Sequence, residues 1–308
     1  MGAAAMDIVC LGEPMIEFNR QSDGRWLEGF GGDVSNVAIA AARQGAKVGM
    51  ISALGRDQFG DMIMDLWHTE GVDTRYVTRH AEAPTGIYFV DHGEAGHSFS
   101  YRRAGSAAAL MGPQDIPPAA IEGARLLHLS GISQAISSTA CDAGFAAMEC
   151  ARAAGVTVSY DLNYRARLWP LPRARAVIHQ ALRSADIALP GFDDASVLTG
   201  HTAPDAILDV YAALGPSVIA LTLGADGAVV QDGAARHTIP AVPTEAVDAS
   251  GAGDCFDGAF LVKWLETNDA AAAGRYAACA AALSVRGYGA VAPIPTADAV
   301  TAMLSSGA

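Results

Sequence analysis

The sequence Asp248-Ala249-Ser250-Gly251-Ala252-Gly253-Asp254 lies directly before an apolar run with helical spacing, residues 255–266. Backbone N–H groups at the start of a helix lack partners within the helix and can bind an anion, and glycine lets the backbone approach a phosphate closely. A carboxylate at the end of such a loop, here Asp254, can accept a proton from an attacking hydroxyl while the amides stabilise the transferred phosphoryl group. The stretch therefore predicts a phosphoryl-transfer site, with helix N-capping by Asp254 as the alternative interpretation.

The rest of the chain alternates between two kinds of apolar segment. Buried strand-like runs are followed by amphipathic or alanine-rich runs with helical spacing. The strands are predicted at 7–12, 47–53, 126–129, 156–160, 187–189 and 218–223, and the helices at 34–44, 57–70, 139–154, 173–184 and 270–285. This alternation indicates βαβ units and an α/β fold, with a mostly parallel sheet covered by helices on both faces.

Two stretches, residues 14–30 and 85–103, lack helical spacing and contain alternating or aromatic segments (MIEFN, GIYFV and HSFSY). They are typical of antiparallel strands or hairpins inserted between α/β units. We expect one α/β domain over residues 6–308, with a small discontinuous β-sheet lid formed by these two stretches. A lid that excludes water suits a kinase, because water would otherwise accept the phosphoryl group. The alternative is two ordinary edge hairpins.

Composition narrows the class of protein. The 308 residues are 51% apolar and 17% charged, so the chain can bury a large core. The net charge of −13 argues against a nucleic-acid partner, which needs a basic surface, although a few local arginines suffice to bind an anionic substrate. No apolar run reaches membrane-spanning length, so no membrane partner is expected.

The cysteines and the N-terminus indicate the cellular compartment in which the protein is expected. The five cysteines form no CxxC pair, which argues against a zinc site, and an odd number fits a reducing compartment. The N-terminus lacks the basic region of a signal peptide, so a cytoplasmic protein is expected. Residues 1–5 are expected to form a loose extension, with Met6 as an alternative start.

Three motifs together resemble the ribokinase-like (PfkB) sugar kinases. They are Gly31-Gly32-Asp33-Val34-Ser35-Asn36-Val37-Ala38, then Gly55-Arg56-Asp57-Gln58-Phe59-Gly60, and the late stretch 248–254. The resemblance extends from about residue 7 to residue 295. The late motif has Ala249-Ser250 where the family usually shows two threonines, but its Gly-Ala-Gly-Asp core is intact. The resemblance implies a doubly wound α/β domain with a small β lid, and ATP-dependent phosphorylation of a sugar or sugar-acid hydroxyl.

The resemblance also assigns roles to residues of the nucleotide end. Asp254 matches the catalytic base, and Gly251, Ala252 and Gly253 match the amides of the anion hole. Mg²⁺ is expected with ATP, and a monovalent cation such as K⁺ near Asp248 is common in the family. The residues expected to bind the nucleotide are Asp194, Thr222, Gly224, Gly227, Gly251 and Gly253.

Two of these assignments have alternatives. Residues 223–227 resemble the nucleotide-ribose loop but also suit a plain hairpin turn. Many relatives carry an Asn-x-x-Glu motif linked to magnesium and phosphate; here Gly191 replaces the Asn and Asp194 keeps an acid at the Glu position. Asp194 is therefore expected in the magnesium–phosphate network, and capping of a helix N-terminus is the alternative.

Within the family, three regions resemble the members that act on 2-keto-3-deoxygluconate: residues 12–15 with 32–33, residues 85–88 with 101–108, and residues 161–169. A substrate carboxylate favours a guanidinium group or tyrosine hydroxyls. By residue matching, Tyr88, Tyr101 and Arg103 would hold the carboxylate, and Arg165 would reach the phosphate or the substrate. The other substrate-binding residues are expected to be Gly32, Asp33 and Asn36.

These substrate assignments compete with plainer ones. Tyr88 could pack within the lid, and Arg165 and Arg167 could form surface ion pairs. The same motifs would serve a kinase of a neutral sugar or nucleoside, such as fructose or ribose, or a non-catalytic sensor of sugar or nucleotide. A lid edge of apolar strands also favours self-association.

Overall fold

The computed structural model describes residues 6–93 and 96–306, so the extension expected at residues 1–5 lies outside the described residues. The thirteen strands of this part are β1 Met6–Leu11, β2 Met15–Arg20, β3 Trp26–Gly31, β4 Val48–Gly55, β5 Asp73–His80, β6 Ile87–Gly93, β7 Gly96–Arg102, β8 Ala124–Ser130, β9 Thr157–Asp161, β10 Ile187–Leu189, β11 Val218–Thr222, β12 Ala228–Asp232 and β13 Ala235–Ile239.

Eleven α-helices accompany them within the same residues. They are α1 Asp33–Arg43, α2 Gln58–Thr69, α3 Pro118–Glu122, α4 Gly131–Ala135, α5 Ser138–Ala154, α6 Leu171–Leu182, α7 Phe192–Thr199, α8 Pro204–Ala212, α9 Ala252–Thr267, α10 Ala270–Ser284 and α11 Ala297–Ser305. None of the described helices is both long and apolar enough to cross a membrane.

The main sheet has nine strands in the order β13-β12-β11-β10-β9-β8-β1-β4-β5. All neighbours from β5 to β11 run parallel, and β12 and β13 extend the sheet as an antiparallel hairpin. Apart from the edge strand β5, the parallel strands are largely buried on both faces, as every residue of Val48–Gly55 illustrates. Helices α1, α2, α9, α10 and α11 cover one face, and α3 to α8 cover the other. The predicted doubly wound α/β fold is confirmed.

Strand β1 lies at the point where the chain changes direction across the sheet. After β1 the chain builds β4 and β5 on one side, and β8 to β11 follow on the other. Ligands of such sheets bind in the crevice beyond the carboxyl ends of the strands at this point. A cleft at this edge is lined by Ile132, which follows β8, and by the loops after β9 and β10.

The two unusual stretches form a small separate sheet with the order β3-β2-β6-β7. Each stretch is an antiparallel hairpin, as predicted, but the neighbours β2 and β6 run parallel. The reason is that β2 follows β1 and β6 follows β5, so both leave the same edge of the parallel sheet. The edge strand β3 exposes Trp26 and Leu27. Its self-association stays a prediction.

Helices α1 and α9 approach closely at Gly258. A Cβ atom there would lie 2.6 Å from the Cβ of Ala40 and 2.7 Å from the carbonyl oxygen of Val37. Only a residue without a side chain fits this contact. Asn36 and Asp254 lie one turn nearer the N-termini of the two helices, so the close approach brings them together.

Candidate active site

A cleft of about 690 Å³ opens between the carboxyl edge of the main sheet and the small sheet. Its walls come from the N-terminal ends of α1 and α9, the loops after β9 and β10, and one face of the small sheet. Thirteen residues expected at the site line it: Gly32, Asp33, Asn36, Tyr88, Tyr101, Arg103, Arg165, Asp194, Thr222, Gly251, Ala252, Gly253 and Asp254. The cleft thus brings together residues from distant parts of the chain.

The loop before α9 is shaped for an anion. Gly251 caps the helix with a φ of 72°, in the left-handed region that favours glycine, and a Cβ atom there would lie 2.9 Å from Ala290. At Gly253, by contrast, a Cβ atom would meet nothing within 4 Å, so this residue presents its backbone to open space in the cleft. The first N–H groups of α9 are therefore accessible to an anion.

Asp254 lies in the first turn of α9 and lines the cleft. Asn36 Nδ2 donates a hydrogen bond of 2.7 Å to Asp254 Oδ2, which fixes the carboxylate. Burial is the largest influence on this group and raises its pKa to about 7, and the negative charge of Asp33 adds to the effect, whereas Asn36 and Arg165 oppose it. A carboxylate with a pKa near neutrality suits a general base.

Asp33 begins α1 and is held by donors from two other elements. Ser130 Oγ donates to Asp33 Oδ2 at 2.5 Å, and Asn163 Nδ2 donates to the same oxygen at 2.8 Å. Asn163 has a φ of 29°, an uncommon value for a residue other than glycine. This conformation turns the loop after β9 into the cleft, where Asn163 orients the carboxylate of Asp33.

Two further carboxylates line the cleft near Asp254. Asp161 ends β9, and Asp257 follows Asp254 by three residues on α9. Burial raises the pKa of both groups well above the usual range, and each is destabilised as an anion by the charges of Asp33 and Asp254. This end of the cleft is therefore strongly acidic, and burial favours the protonated forms of Asp161 and Asp257.

Arg103 reaches the cleft next to a buried acid that the sequence analysis gave no role. Its Nη2 lies 2.7 Å from Oε2 of Glu13, and Ser106 Oγ donates to Glu13 Oε1 at 2.9 Å. The guanidinium carbon of Arg103 also lies 5.1 Å from the centre of the Tyr101 ring. Arg103 is thus fixed beside Tyr101, but Glu13 offsets its charge.

The predicted tyrosines form an aromatic wall of the cleft. The rings of Tyr88 and Tyr101 stack with centroids 5.7 Å apart, and Phe99 stacks on Tyr101 at 6.4 Å. The hydroxyl of Tyr88 donates to Glu17 Oε2 at 2.5 Å, and burial together with Glu17 raises the pKa of Tyr88. Tyr88 therefore both packs within the small sheet and faces the cleft.

Arg165 and Asp194 lie together on the side of the cleft facing α7. Arg165 Nη1 is 3.7 Å from Asp194 Oδ2, which also accepts from the backbone N–H of Tyr164 at 2.9 Å. Burial raises the pKa of Asp194. The described residues contain no cluster of three or more His, Cys, Asp or Glu side chains suited to a metal ion. Asp194 could supply a single carboxylate, which fits Mg²⁺ held largely by phosphate oxygens and water.

Three expected ligands do not line the cleft. Gly224 and Gly227 belong to the tight turn between β11 and β12, and their contact with the nucleotide stays a prediction. Both oxygens of Asp248 accept hydrogen bonds, Oδ1 from Ser250 N at 2.9 Å and Oδ2 from Gly289 N at 2.9 Å. Asp248 thereby joins the anion-binding loop to the loop after α10. A monovalent cation beside it stays a prediction.

The residues that the sequence analysis left without a role share one property. Each acts through other residues of the site. Distant partners are contacted by Glu13, Glu17 and Asn163, which bind Arg103, Tyr88 and Asp33 respectively. Negative charge is added near Asp254 by Asp161 and Asp257. A local signal existed for some of them. Asp161 and Asn163 precede Arg165 in the Asp-x-Asn-Tyr-Arg segment, and Asp257 follows Asp254 on the same helix face.

Comparison with known proteins places this geometry among carbohydrate kinases. Residues 5–297 match the family model "pfkB family carbohydrate kinase". The chain is 34% identical over 305 residues to a 2-dehydro-3-deoxygluconokinase of Thermoproteus tenax, covering 95% of this chain and 93% of that protein. It is 33% identical to a probable fructokinase-5 of Arabidopsis thaliana, covering 83% and 82%. The crystal structure of a fructokinase with bound ATP from Xylella fastidiosa superposes with a TM-score of 0.89 at 28% identity, covering 98% of each chain.

Proposed function

Because the chain belongs to the pfkB family of carbohydrate kinases, we propose that it phosphorylates the terminal hydroxyl of 2-keto-3-deoxygluconate with ATP. The products are 2-keto-3-deoxy-6-phosphogluconate and ADP. The observation that carries the reaction class is Asp254, held by Asn36 beside the open backbone of Gly253. The similarity to 2-dehydro-3-deoxygluconokinases over nearly the full chain supports the substrate.

The chain's own groups account for the transfer. Asp254 accepts the proton of the attacking hydroxyl, the hydroxyl oxygen forms a bond to the γ-phosphorus, and the bond from that phosphorus to the leaving ADP oxygen breaks. The amides of Gly251, Ala252 and Gly253 stabilise the negative charge on the transferred group. Bound with ATP near Asp194, Mg²⁺ supplies further charge neutralisation of the phosphates.

The sugar-acid end is assigned to the small sheet. Tyr88, Tyr101 and Arg103 would hold the carboxylate, and Asp33 and its neighbours would bind hydroxyls. The hydroxyl of Tyr101 and the fixed guanidinium of Arg103 support this assignment, because they supply donors at one end of the cleft. The hydroxyl of Tyr88 donates to Glu17, so Tyr88 would contribute its stacked ring to this end.

A second candidate is a kinase of a neutral sugar such as fructose. Its support is the ion pair of Arg103 with Glu13, which reduces the positive charge offered to a carboxylate, together with the similarity to fructokinases. A non-catalytic sensor is disfavoured by Asp254, because ligand binding alone requires no base.

A substrate panel tests these alternatives. The protein is incubated with Mg²⁺-ATP and 2-keto-3-deoxygluconate, its galactonate epimer, fructose, ribose or adenosine, and ADP release is followed. Turnover confined to the two keto-deoxy acids is the expected result. Turnover confined to a neutral sugar would retain the role of Asp254 and overturn the substrate assignment. Binding of ATP and of a sugar with no turnover on any compound would favour the sensor.

A further inference from the structure

The three arginines that line the cleft differ in how their charges are offset. Arg103 pairs with the buried Glu13 at 2.7 Å, and Arg165 lies 3.7 Å from Asp194. Arg167 also lines the cleft and is exposed, but within the described part of the chain it forms no ion pair with a carboxylate. Arg167 therefore contributes positive charge to the cleft that no described acid neutralises.

The position of Arg167 places this charge at the mouth of the cleft. Its Nη1 donates a hydrogen bond of 2.7 Å to the carbonyl oxygen of Phe99 on β7. Phe99 precedes Tyr101 by two residues on the same strand face, and both rings line the cleft. The guanidinium group thus lies beside the aromatic wall, where the carboxylate of a sugar acid is expected.

We propose that Arg167 is a specificity-determining residue that binds the carboxylate of the sugar-acid substrate. A guanidinium group has five N–H donors, and the contact with Phe99 uses one of them. The remaining donors can bind a carboxylate in the bidentate manner that lysine cannot reproduce. Arg165 lowers the pKa of Asp254 and so lies near the proposed base, where it would bind the phosphate rather than the carboxylate. The proposal rests on the proposed function, because it names the residue that selects the acidic substrate.

The alternative is that Arg167 has only a structural role, because its hydrogen bond to Phe99 connects the loop after β9 to the small sheet. The two roles differ in what they predict for a neutral sugar. Loss of a fastening contact would impair acidic and neutral sugars alike. Loss of a carboxylate ligand would impair only the acidic one.

The experiment compares 2-keto-3-deoxygluconate with the matching 3-deoxyhexulose, in which a CH₂OH group replaces the carboxylate. The variants are Arg167→Gln, Arg167→Lys and a control, Arg102→Gln. Arg102 is also exposed and also donates to a carbonyl, that of Tyr101 at 3.2 Å, but it lies outside the cleft. We expect Arg167→Gln to lower kcat/KM for the acid about 10- to 100-fold and for the neutral sugar less than about 3-fold.

Two further results are expected. Arg167→Lys should recover part of the preference for the acid, and Arg102→Gln should preserve it fully. The preference of the wild-type protein should weaken as salt rises, whereas that of Arg167→Gln should respond little, because the unpaired charge is gone. Equal losses on both sugars in Arg167→Gln, or an unchanged ratio, would overturn the proposal.

A binding measurement separates this proposal from the proposed function. Dissociation constants for both sugars are measured by calorimetry with a non-hydrolysable ATP analogue. If the wild-type protein phosphorylates neither sugar, the proposed function is wrong, yet the ratio of the two constants still decides the role of Arg167. A wild-type ratio near one, or the same ratio in Arg167→Gln, would refute it.

Discussion

Replacing Asp254, the proposed general base, should stabilise the fold at alkaline pH. Burial and the charge of Asp33 raise the pKa of Asp254 from 3.8 to about 7. The folded protein therefore holds this proton more tightly than the unfolded chain, and ionisation of Asp254 destabilises the fold increasingly as the pH rises from about 4 to 7. Asp254→Asn removes that destabilisation, which is fully present above pH 7.

The magnitude follows from the shift. About three pKa units correspond to ~4 kcal/mol if the carboxylate is fully shielded from water. Because Asp254 faces the cleft, solvent screens part of this, and we expect Asp254→Asn to raise the free energy of unfolding by ~2 kcal/mol at pH 8. Asparagine can keep the contact with Asn36, since its amide oxygen accepts the same hydrogen bond.

Urea unfolding at intervals from pH 5 to pH 9 measures the effect. The difference between Asp254→Asn and the wild-type protein should grow with pH and level off above about pH 7. The exposed aspartate on α2 gives a control, since Asp65→Asn should change stability by less than about 0.5 kcal/mol. A stability difference that is constant across this range, or a destabilised Asp254→Asn protein at pH 8, would refute the electrostatic reasoning.

The remaining predictions concern pH, the anion-binding loop and the core. The kcat/KM of the wild-type protein should rise with pH and level off above about 7, because the ionised carboxylate of Asp254 is the proposed base. Asp33→Asn should move the midpoint of this profile to lower pH by removing a like charge. Gly253→Ala should raise the unfolding free energy by at most ~1 kcal/mol, because alanine is favoured over glycine in a helix, but should lower kcat at least about 10-fold, since its methyl group enters the cleft. Gly258→Ala should instead lower stability by ~1–3 kcal/mol through its clash with α1, and chemical denaturation compares the two. Burial lowers the pKa of His128 to about 3, so the unfolded chain takes up a proton below pH 6.5 that the folded protein does not. The wild-type protein should therefore lose ~2 kcal/mol of unfolding free energy between pH 6.5 and pH 5 through His128, and His128→Gln should not show this loss in urea unfolding.

Local sequence patterns were sufficient for most of the fold. Buried strands such as β1 and β4 and alanine-rich helices such as α10 carry their periodicity in their own residues, and the structure confirms them. Strand β5 was not predicted, because it lies at the sheet edge and its sequence DTRYVTRH has no apolar run. The hairpin of β12 and β13 was also missed, since exposed residues dominate β13.

The site residues also differ in whether a local sequence pattern could identify them. The loop 248–254 was singled out from residue types and spacing, because one contiguous segment carries its signal, whereas Tyr88 and Tyr101 were assigned through the resemblance to the family. The pairing of Arg103 with Glu13, ninety positions away in the chain, is set by the parallel junction of β2 and β6, which local periodicity does not encode. The sequence therefore suggested an available guanidinium at Arg103, whereas the structure shows one already offset by an acid.

The contact between Asn36 and Asp254 joins residues 218 positions apart. During synthesis the ribosome releases α1 and the small sheet long before α9, so a growing chain has the residues of one side of the cleft before Asp254 is available. Contacts across such separations also form late in refolding, because closing long loops is slow. Kinase activity should thus return only after most of the helical signal has recovered, and an incomplete chain lacks the proposed base.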